Sequence, residues 1–123
     1  MKNNALLVDI LRDTIVSMVR RDEPDLTARQ LAVLLICCLD DAPHTVRGLA
    51  QRLTVAKPAI TRATDRLEEF GLAKRQSDPR DRRSVLLVAT PLGRDFVREL
   101  GVMMKAAAER VAPSSAKQRA AAG

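Results

Sequence analysis

Apolar residues recur at helical spacing in several stretches of the chain. Residues 5–20 form the first predicted helix, and the acids and proline of residues 21–25 end it. Residues 26–43 form the second, which starts with a capping box made by Thr27 and Gln30. This second segment is apolar on all sides, as expected of a central buried helix. The pattern therefore predicts a largely helical fold.

Two shorter helices follow in close succession. Residues 44–55 carry the apolar face of the third helix, and residues 56–72 carry the fourth. Pro58 suits the first turn of the fourth helix, and Gly71 suits the position just past its end. Because few residues join the two, the pair is predicted to be a helix-turn-helix.

The period changes after the fourth helix. Residues 72–77 and 83–90 are predicted to be two strands around a turn at residues 78–82, which contains Asp and Pro. Helical spacing returns over residues 90–111, with Thr90 as the cap. The fold class is therefore predicted to be mainly α with a small β wing, a winged helix-turn-helix with N- and C-terminal helices.

Charge is concentrated in the middle of the chain. The net charge is +6, and residues 45–83 contain ten Lys or Arg against five Asp or Glu. Such a basic segment favours a polyanionic partner. With no Trp or Tyr and only two Phe, the chain lacks the rings on which single-stranded bases stack. These observations favour duplex nucleic acid over single strands.

Several other classes of protein are not expected. Cys37 and Cys38 are adjacent in an apolar run, a spacing that fits neither a disulfide nor a metal site, so we expect two buried thiols in a reducing cytosol. No apolar run approaches the ~20 residues that cross a bilayer, and no signal peptide is recognisable, so a cytoplasmic protein without a membrane partner is expected. His44 has no catalytic or metal-binding partner and is expected at the surface or facing phosphate. We expect no enzyme activity, no cofactor and no metal.

The outer face of the fourth helix has the chemistry of a DNA-reading surface. Lys57, Pro58, Thr61 and Arg62 occupy its first half, where a recognition helix contacts base edges in the major groove. Arg62 can bind guanine, and Thr61 can contact a base or a phosphate. Asp65, three residues on, is predicted to hold Arg62 in place. The alternative is an ordinary solvated face with charge pairs.

The predicted hairpin has an arginine-rich tip. Arg80, Arg82 and Arg83 lie close to Asp78 and Asp81. A thin hairpin can enter the minor groove, where the negative potential attracts arginine. Asp81 is predicted to orient and partly neutralise one arginine. The alternative is a solubilising turn that blunts an edge strand.

Three motifs carry a resemblance to a known family. From about Leu26 to Phe96 the chain resembles the MarR family of bacterial transcription regulators, most specifically in "ITRATDRLEEFGLAKR", "DPRDRRSVLLV" and "TPLGRDF". The resemblance implies a winged-helix dimer that represses by occupying palindromic operators. Many members release DNA when a small molecule binds. The scarcity of aromatic residues and the short C-terminal segment favour little or no effector pocket in this chain.

The resemblance also assigns roles by position. Lys57, Pro58, Thr61 and Arg62 match the major-groove reading surface. Arg83 matches the wing arginine of the minor groove, with Asp81 as the acid that holds it. Arg80 and Arg82 flank it near phosphates. Further phosphate contacts are predicted at Thr45, Arg47, Arg66 and Lys74. The dimer seam is predicted to contain Leu7, Leu11, Ile15, Met18, Phe96, Leu100, Met103 and Ala107.

We therefore expect one domain over residues 1–112. Residues 26–90 would form the DNA-binding lobe, residues 5–20 and 91–112 the dimerisation helices, and residues 113–123 a disordered tail. The predicted function is that of a sequence-specific repressor that binds duplex DNA as a homodimer. The alternatives are a winged-helix protein-interaction module and a non-specific nucleoid-associated binder, and a pure protein binder would not need the wing arginine and its acid.

Overall fold

A computed structural model describes residues 2–122, with side chains described over residues 4–111. The elements in chain order are α1 (Lys2–Arg20), α2 (Ala28–Leu39), α3 (Val46–Leu53), α4 (Lys57–Glu69), β1 (Ala73–Asp78), β2 (Asp81–Ala89) and α5 (Pro91–Ala122). The predicted fold class, mainly helical with a two-stranded antiparallel wing, is confirmed. The tail predicted over residues 113–123 lies outside the residues whose side chains are described.

The chain divides into two compact units. Residues 1–25 and 98–123 form the first, and residues 26–97 form the second. In the first unit, two ion pairs join α5 to α1 and to the residue that follows α1. Arg21 Nη1, just past α1, lies 2.9 Å from Glu99 Oε2, and Arg110 Nε lies 3.5 Å from Asp13 Oδ2 of α1. Because the end of α1 pairs with an earlier residue of α5 than its middle does, the two helices are antiparallel.

The second unit has its own apolar core between α2, α4 and the wing. The fully buried side chains of this core are Val33, Leu34, Ile60, Leu67, Leu72 and Leu87. Each such side chain contributes about 1.5–3 kcal/mol relative to its exposed state. The expectation that the second helix is buried on all sides is only partly met, because Leu39 of α2 is 69% exposed. On α4 one face is buried by Ala59, Ile60, Ala63, Thr64 and Leu67, so the other face is turned outward.

A tight turn fixes α3 against α4. Thr45 begins α3, and its Oγ1 accepts the backbone N–H of Gly48 at 2.9 Å. Thr54 ends the helix in the left-handed conformation, at φ 56°. The N–H of Val55 then donates to the carbonyl of Ala50 at 3.0 Å, which closes the helix end in a Schellman-type motif. Two residues, 55 and 56, separate Thr54 from α4.

The two ends of α4 differ in how their free backbone hydrogen-bonding groups are satisfied. Ala56 occupies the N-cap and supplies no side-chain hydrogen bond, and a proline follows in the first turn. At the other end Gly71 adopts φ 73°, and the N–H of Leu72 donates to Leu67 at 2.9 Å. The prediction for Gly71 is confirmed, because a side chain would be strained in this conformation.

The wing turn is shorter than the sequence predicts. β1 and β2 pair from Ala73 opposite Ala89 to Asp78 opposite Asp81, with an irregularity between residues 77 and 78. Only residues 79 and 80 lie between the strands, whereas the prediction placed residues 78–82 in the turn. The carboxylate of Asp78 accepts the N–H of Arg80 at 2.9 Å, and this local bond stabilises the tighter turn.

The start of α5 is packed closely against the end of α4. The Oγ1 of Thr90 donates to the carbonyl of Gly71 at 2.6 Å and accepts the N–H of Gly93 at 3.0 Å, so the predicted cap is confirmed. A Cβ at Gly93 would lie 2.0 Å from the carbonyl oxygen of Leu72. Glycine is required at this position because two backbones touch there.

Candidate nucleic-acid interface

An open groove of about 390 Å³ lies between the start of α3, the first turns of α4 and one side of the wing. Its lining residues are Thr45, Val46, Arg47, Lys57, Thr61, Arg75, Asp81, Arg83, Ser84 and Val85. Residues assigned from the sequence to the major groove, the wing and the phosphates therefore share one surface. An antiparallel bridge between Thr45 and Leu86 links the wing to the start of α3 within this unit.

The outer face of α4 is open as predicted. Lys57, Pro58 and Arg62 are exposed, and Thr61 is half-buried with its hydroxyl donating to the carbonyl of Lys57 at 3.2 Å. The prediction that Asp65 holds Arg62 is wrong, because Asp65 is engaged by a guanidinium from β1. Among the side chains that the structure describes, none forms a hydrogen bond or ion pair with the charged groups of Lys57 or Arg62.

The wing tip carries three exposed arginines, Arg80, Arg82 and Arg83. Asp81 was expected to hold one of their guanidinium groups, and its carboxylate is used differently. Asp81 Oδ1 accepts the backbone N–H of Arg83 at 3.0 Å, and Oδ2 accepts the hydroxyl of Ser84 at 3.2 Å. An aspartate two residues before an N–H forms this local turn bond readily. Asp81 therefore orders the backbone that bears Arg83.

The four predicted phosphate contacts are not grouped together. Thr45 and Arg47 line the groove, and Lys74 and Arg66 are exposed outside its lining. Arg66 is already engaged, since its Nη1 lies 2.7 Å from Glu69 Oε2 and its guanidinium lies 4.6 Å from the centroid of the Phe70 ring. A phosphate would have to compete with these contacts at Arg66.

Arg75 belongs to the groove, although the sequence did not indicate it. Its Nη2 donates to Asp65 Oδ1 at 2.6 Å and to the carbonyl of Thr61 at 3.3 Å. Its Nη1 bonds to Glu68, and its backbone N–H donates to Glu68 Oε2 at 3.0 Å. Partial burial lowers the pKa of Arg75, but the hydrogen bonds to Asp65 and Glu68 outweigh it and leave the pKa raised.

The sequence contains one local signal for the network of Arg75, Asp65 and Glu68. Asp65 and Glu68 are three residues apart and share one helix face, and Arg75 lies on the strand that follows. An acidic pair on a helix just before a strand with an arginine is compatible with such a clamp. Helix periodicity alone does not show which face the strand will cover.

Cys37, Cys38 and His44 do not line the groove. Burial, reinforced by the neighbouring Cys38, raises the pKa of the Cys37 thiol to about 11, and Arg94 offsets this only in part. Burial also raises the pKa of Cys38. His44 is half-buried, with Nε2 3.1 Å from the carbonyl oxygen of Asp40. The described residues contain no cluster of potential metal ligands, and no described helix is long and apolar enough to span a bilayer.

The residues predicted for the dimer seam fall into two groups. Leu7 is 60% exposed, Leu11 59% and Ile15 42%, and Met18 is half-buried. The α5 members are buried in the isolated chain, and they are Phe96, Leu100, Met103 and Ala107. Only the α1 group therefore has apolar surface left to cover.

Fold and groove together define a winged helix-turn-helix protein of the transcription-regulator class. The MarR family model matches residues 26–85. Solved structures that are 30% identical to this chain align with most of its length. The chain therefore belongs to the MarR family. Members of this family are transcription regulators that bind DNA, typically as dimers, and are not enzymes.

Three solved structures illustrate the similarity. MarR itself is 30% identical, with 87% of this chain and 78% of that chain covered at a TM-score of 0.62. RV1404 from Mycobacterium tuberculosis is 30% identical over 92% and 74% of the two chains, with a TM-score of 0.74. A MarR-family regulator from Rhodococcus sp. RHA1 is 30% identical over 82% and 69%, with a TM-score of 0.63. No curated protein matches the chain by sequence.

Proposed function

We propose that the protein is a sequence-specific repressor that binds a palindromic operator in duplex DNA as a homodimer. The observation that carries the proposal is the shared groove, in which Lys57 and Thr61 of α4 and Arg83 of the wing face one surface. One duplex bound to this surface would have α4 in its major groove and the wing tip in the adjacent minor groove. The protein would act in the cytoplasm, where a repressor excludes polymerase from its operator.

The charges on this surface support a phosphate partner. Within the described part of the chain, six basic side chains on or beside this surface have charged groups that no hydrogen bond or ion pair occupies, and they are Arg47, Lys57, Arg62, Arg80, Arg82 and Arg83. DNA phosphates can therefore bind them without breaking an internal ion pair. Each cation that neutralises a phosphate releases counterions, so binding should weaken steeply as salt rises. The two acids nearest the reading face, Asp65 and Glu68, are paired with Arg75.

Base reading is assigned to the first half of α4. Arg62 is exposed, and its planar fork matches the two acceptors on the major-groove edge of guanine. Thr61 is partly covered and already bonded to its own helix, so it is better suited to contact a methyl group or a phosphate. Arg62 is therefore the residue that we assign to sequence discrimination.

The dimer is proposed to form through the exposed apolar face of α1. This face includes Leu7, Leu11 and Ile15, and a second copy would cover the same residues. In a dimer the two recognition helices would lie about one turn of DNA apart, roughly 10 base pairs centre to centre. A palindromic operator follows from this two-fold symmetry.

Selection of random duplex DNA by the purified protein at near-physiological salt tests the function. The expected result is an enriched palindrome whose half-sites are about one helical turn apart. An enriched single half-site would remove the dimer from the proposal. Retention of DNA without any preferred sequence would identify a non-specific nucleoid-associated binder. Failure to retain duplex DNA would leave a protein-interaction module.

Arg62→Ala tests the assignment of base reading. We expect a loss of about 1–3 kcal/mol on the enriched sequence, while affinity for unrelated duplex changes much less. Arg52→Ala is a charge-matched control, because Arg52 pairs with Asp40 and lies outside the groove. Fluorescence anisotropy with both duplexes measures the difference. An equal loss on both duplexes would mean that Arg62 contacts only the backbone.

A further inference from the structure

The side chain of Arg75 connects α4 and the wing, the two elements that are proposed to enter different grooves of the DNA. Arg75 is on β1, the first strand of the wing, and its guanidinium reaches Thr61 and Asp65 on α4. Glu68, one turn further along α4, binds both the guanidinium and the backbone N–H of Arg75. The network therefore ties strand backbone and strand side chain to one face of the recognition helix.

The geometry suits a rigid clamp. A guanidinium is planar and presents its donors in a fixed fork, so engaging a carbonyl and two carboxylates restricts rotation and translation together. The side chains of Arg75 and Glu68 are 30% and 34% exposed, so their ion pair is less screened by solvent than the more exposed pair of Arg66 and Glu69 on α4. Without it, this part of the wing would be joined to α4 through the chain connection and its apolar base.

The position of the clamp relates it to DNA binding. Arg75 lines the groove together with Lys57, Thr61 and Arg83, but its donors point back to α4. To bind a phosphate, Arg75 would have to break its hydrogen bonds to α4, so it is poorly placed for a direct DNA contact. Reading two grooves at once requires a fixed spacing between helix and wing, because a wing that must be ordered on binding costs conformational entropy.

We infer that Arg75 is a positioning residue that sets the wing against the recognition helix, so that Arg83 contributes to DNA binding only while Arg75 holds it in register. This inference rests on the proposed function. Arg75 also has a simpler, electrostatic effect on DNA binding. Its charge neutralises Asp65 and Glu68, which would otherwise repel DNA. The two effects predict different behaviour of Arg83, and that difference defines the test.

The test is a pair of Arg83→Ala measurements. Affinity is measured by anisotropy with a fluorescein-labelled duplex that carries the sequence enriched by selection, and with an unrelated duplex of equal length. In the native background, we expect Arg83→Ala to lower affinity roughly tenfold. In the Arg75→Ala background, we expect the same change to lower affinity less than about twofold, because a displaced wing contributes little.

Three companion variants separate positioning from charge and from folding. Arg75→Lys keeps the charge but lacks the fork, and it should show the reduced Arg83 effect. Arg75→Ala combined with Asp65→Asn and Glu68→Gln removes the repulsion, and the Arg83 effect should stay reduced. Recovery of full affinity and of the tenfold effect in that combination would overturn positioning. Arg52→Ala should keep the full Arg83 effect, and thermal unfolding of each variant confirms that it folds.

A measurement without DNA keeps the inference separate from the proposed function. Nitroxides are attached through Arg62→Cys and Arg82→Cys in a Cys37→Ala, Cys38→Ala background, and labelled protein is diluted with unlabelled protein. The distance distribution between α4 and the wing tip should be narrow with Arg75 and broad with Arg75→Ala. An equally narrow distribution would overturn the inference whatever the DNA result. A native protein with no preferred sequence would overturn the proposed function alone.

Discussion

At the scale of single residues, Thr64 is the polar exception in the core of the DNA-binding unit. Its side chain is fully buried in the inner face of α4, and its Oγ1 has no hydrogen-bond partner in the described part of the chain. A buried hydroxyl that has lost its water costs about 1–3 kcal/mol.

Thr64→Val should therefore stabilise the protein. The methyl group fills the space of the hydroxyl, and the desolvation cost disappears, so we expect the free energy of unfolding to rise by about 1 kcal/mol. Urea denaturation followed by circular dichroism measures the change. Thr61→Val is the matched control on the same helix, and it should not stabilise, because the Thr61 hydroxyl is half-exposed and bonded to Lys57. A loss of stability in Thr64→Val would indicate that the hydroxyl has a partner.

Gly93 is a second position where a single added carbon atom should change the stability of the protein. A methyl group there would lie 2.0 Å from the carbonyl oxygen of Leu72, and backbone cannot move aside as a flexible side chain can. We expect Gly93→Ala to lower the free energy of unfolding by about 1–3 kcal/mol or more. Gly101→Ala, further along α5, has no described neighbour within 4 Å and should instead be neutral or stabilising by up to about 1 kcal/mol. Equal effects at the two glycines would exclude the contact as the cause.

At the scale of elements, the order of helices and strands was predictable because each is encoded by its own short apolar period. The capping box at Thr27 and the glycine end of α4 are also local signals, and both are confirmed. The wing turn was predicted too long, since a bond from Asp78 to the N–H of Arg80 closes it earlier.

The candidate site was only partly predictable from the sequence. The exposed cations of α4 and of the wing follow from helix periodicity and from the hairpin. The pairing of Asp65 was assigned to Arg62 because sequence reasoning considers neighbours on the same helix. The observed partner, Arg75, lies ten positions away on another element. Such pairings depend on how the strand packs on the helix, which local patterns do not encode.

The start of α4 is an element whose weakness can be corrected. Ala56 supplies no capping oxygen, and among the described residues the N–H of Ala59 donates only to the carbonyl of Ala56, at 2.9 Å. The Oγ of a serine at position 56 would accept this N–H as a side-chain cap. Ala56→Ser should raise the free energy of unfolding by about 1 kcal/mol, measured by urea denaturation. Thr45→Ala, which removes the cap of α3, should lower it by a similar amount. An unchanged stability in Ala56→Ser would mean that water or Pro58 already compensates for the missing cap.

At the scale of the whole molecule, the apolar surface that remains uncovered lies largely on one helix. Six of the eleven exposed large apolar side chains in the described residues are on α1, and they are Leu7, Val8, Leu11, Ile15, Val16 and Val19. Isolated apolar residues on a surface need no explanation, but several on one helix are typical of an interface. The α5 residues expected in the same seam are already buried within the chain, so the seam that we propose now centres on α1.

Leu11→Lys places a charge at the centre of this face and should convert a dimer to a monomer. Leu11 is 59% exposed in the single chain, so the monomer should tolerate lysine, whereas a dimer would lose the ~1.5–3 kcal/mol of each buried leucine and would bury a charge. Light scattering after size exclusion measures the mass, and anisotropy with palindromic and half-site duplexes measures binding. We expect the variant to bind the half-site as the native chain does and to lose the advantage of the palindrome.

Leu39→Lys, at an even more exposed leucine outside this face, should leave the mass and the palindrome preference unchanged. A Leu11→Lys protein that keeps its dimeric mass would show that the seam lies elsewhere. A native chain that is monomeric would leave the α1 face without the partner that we assign to it.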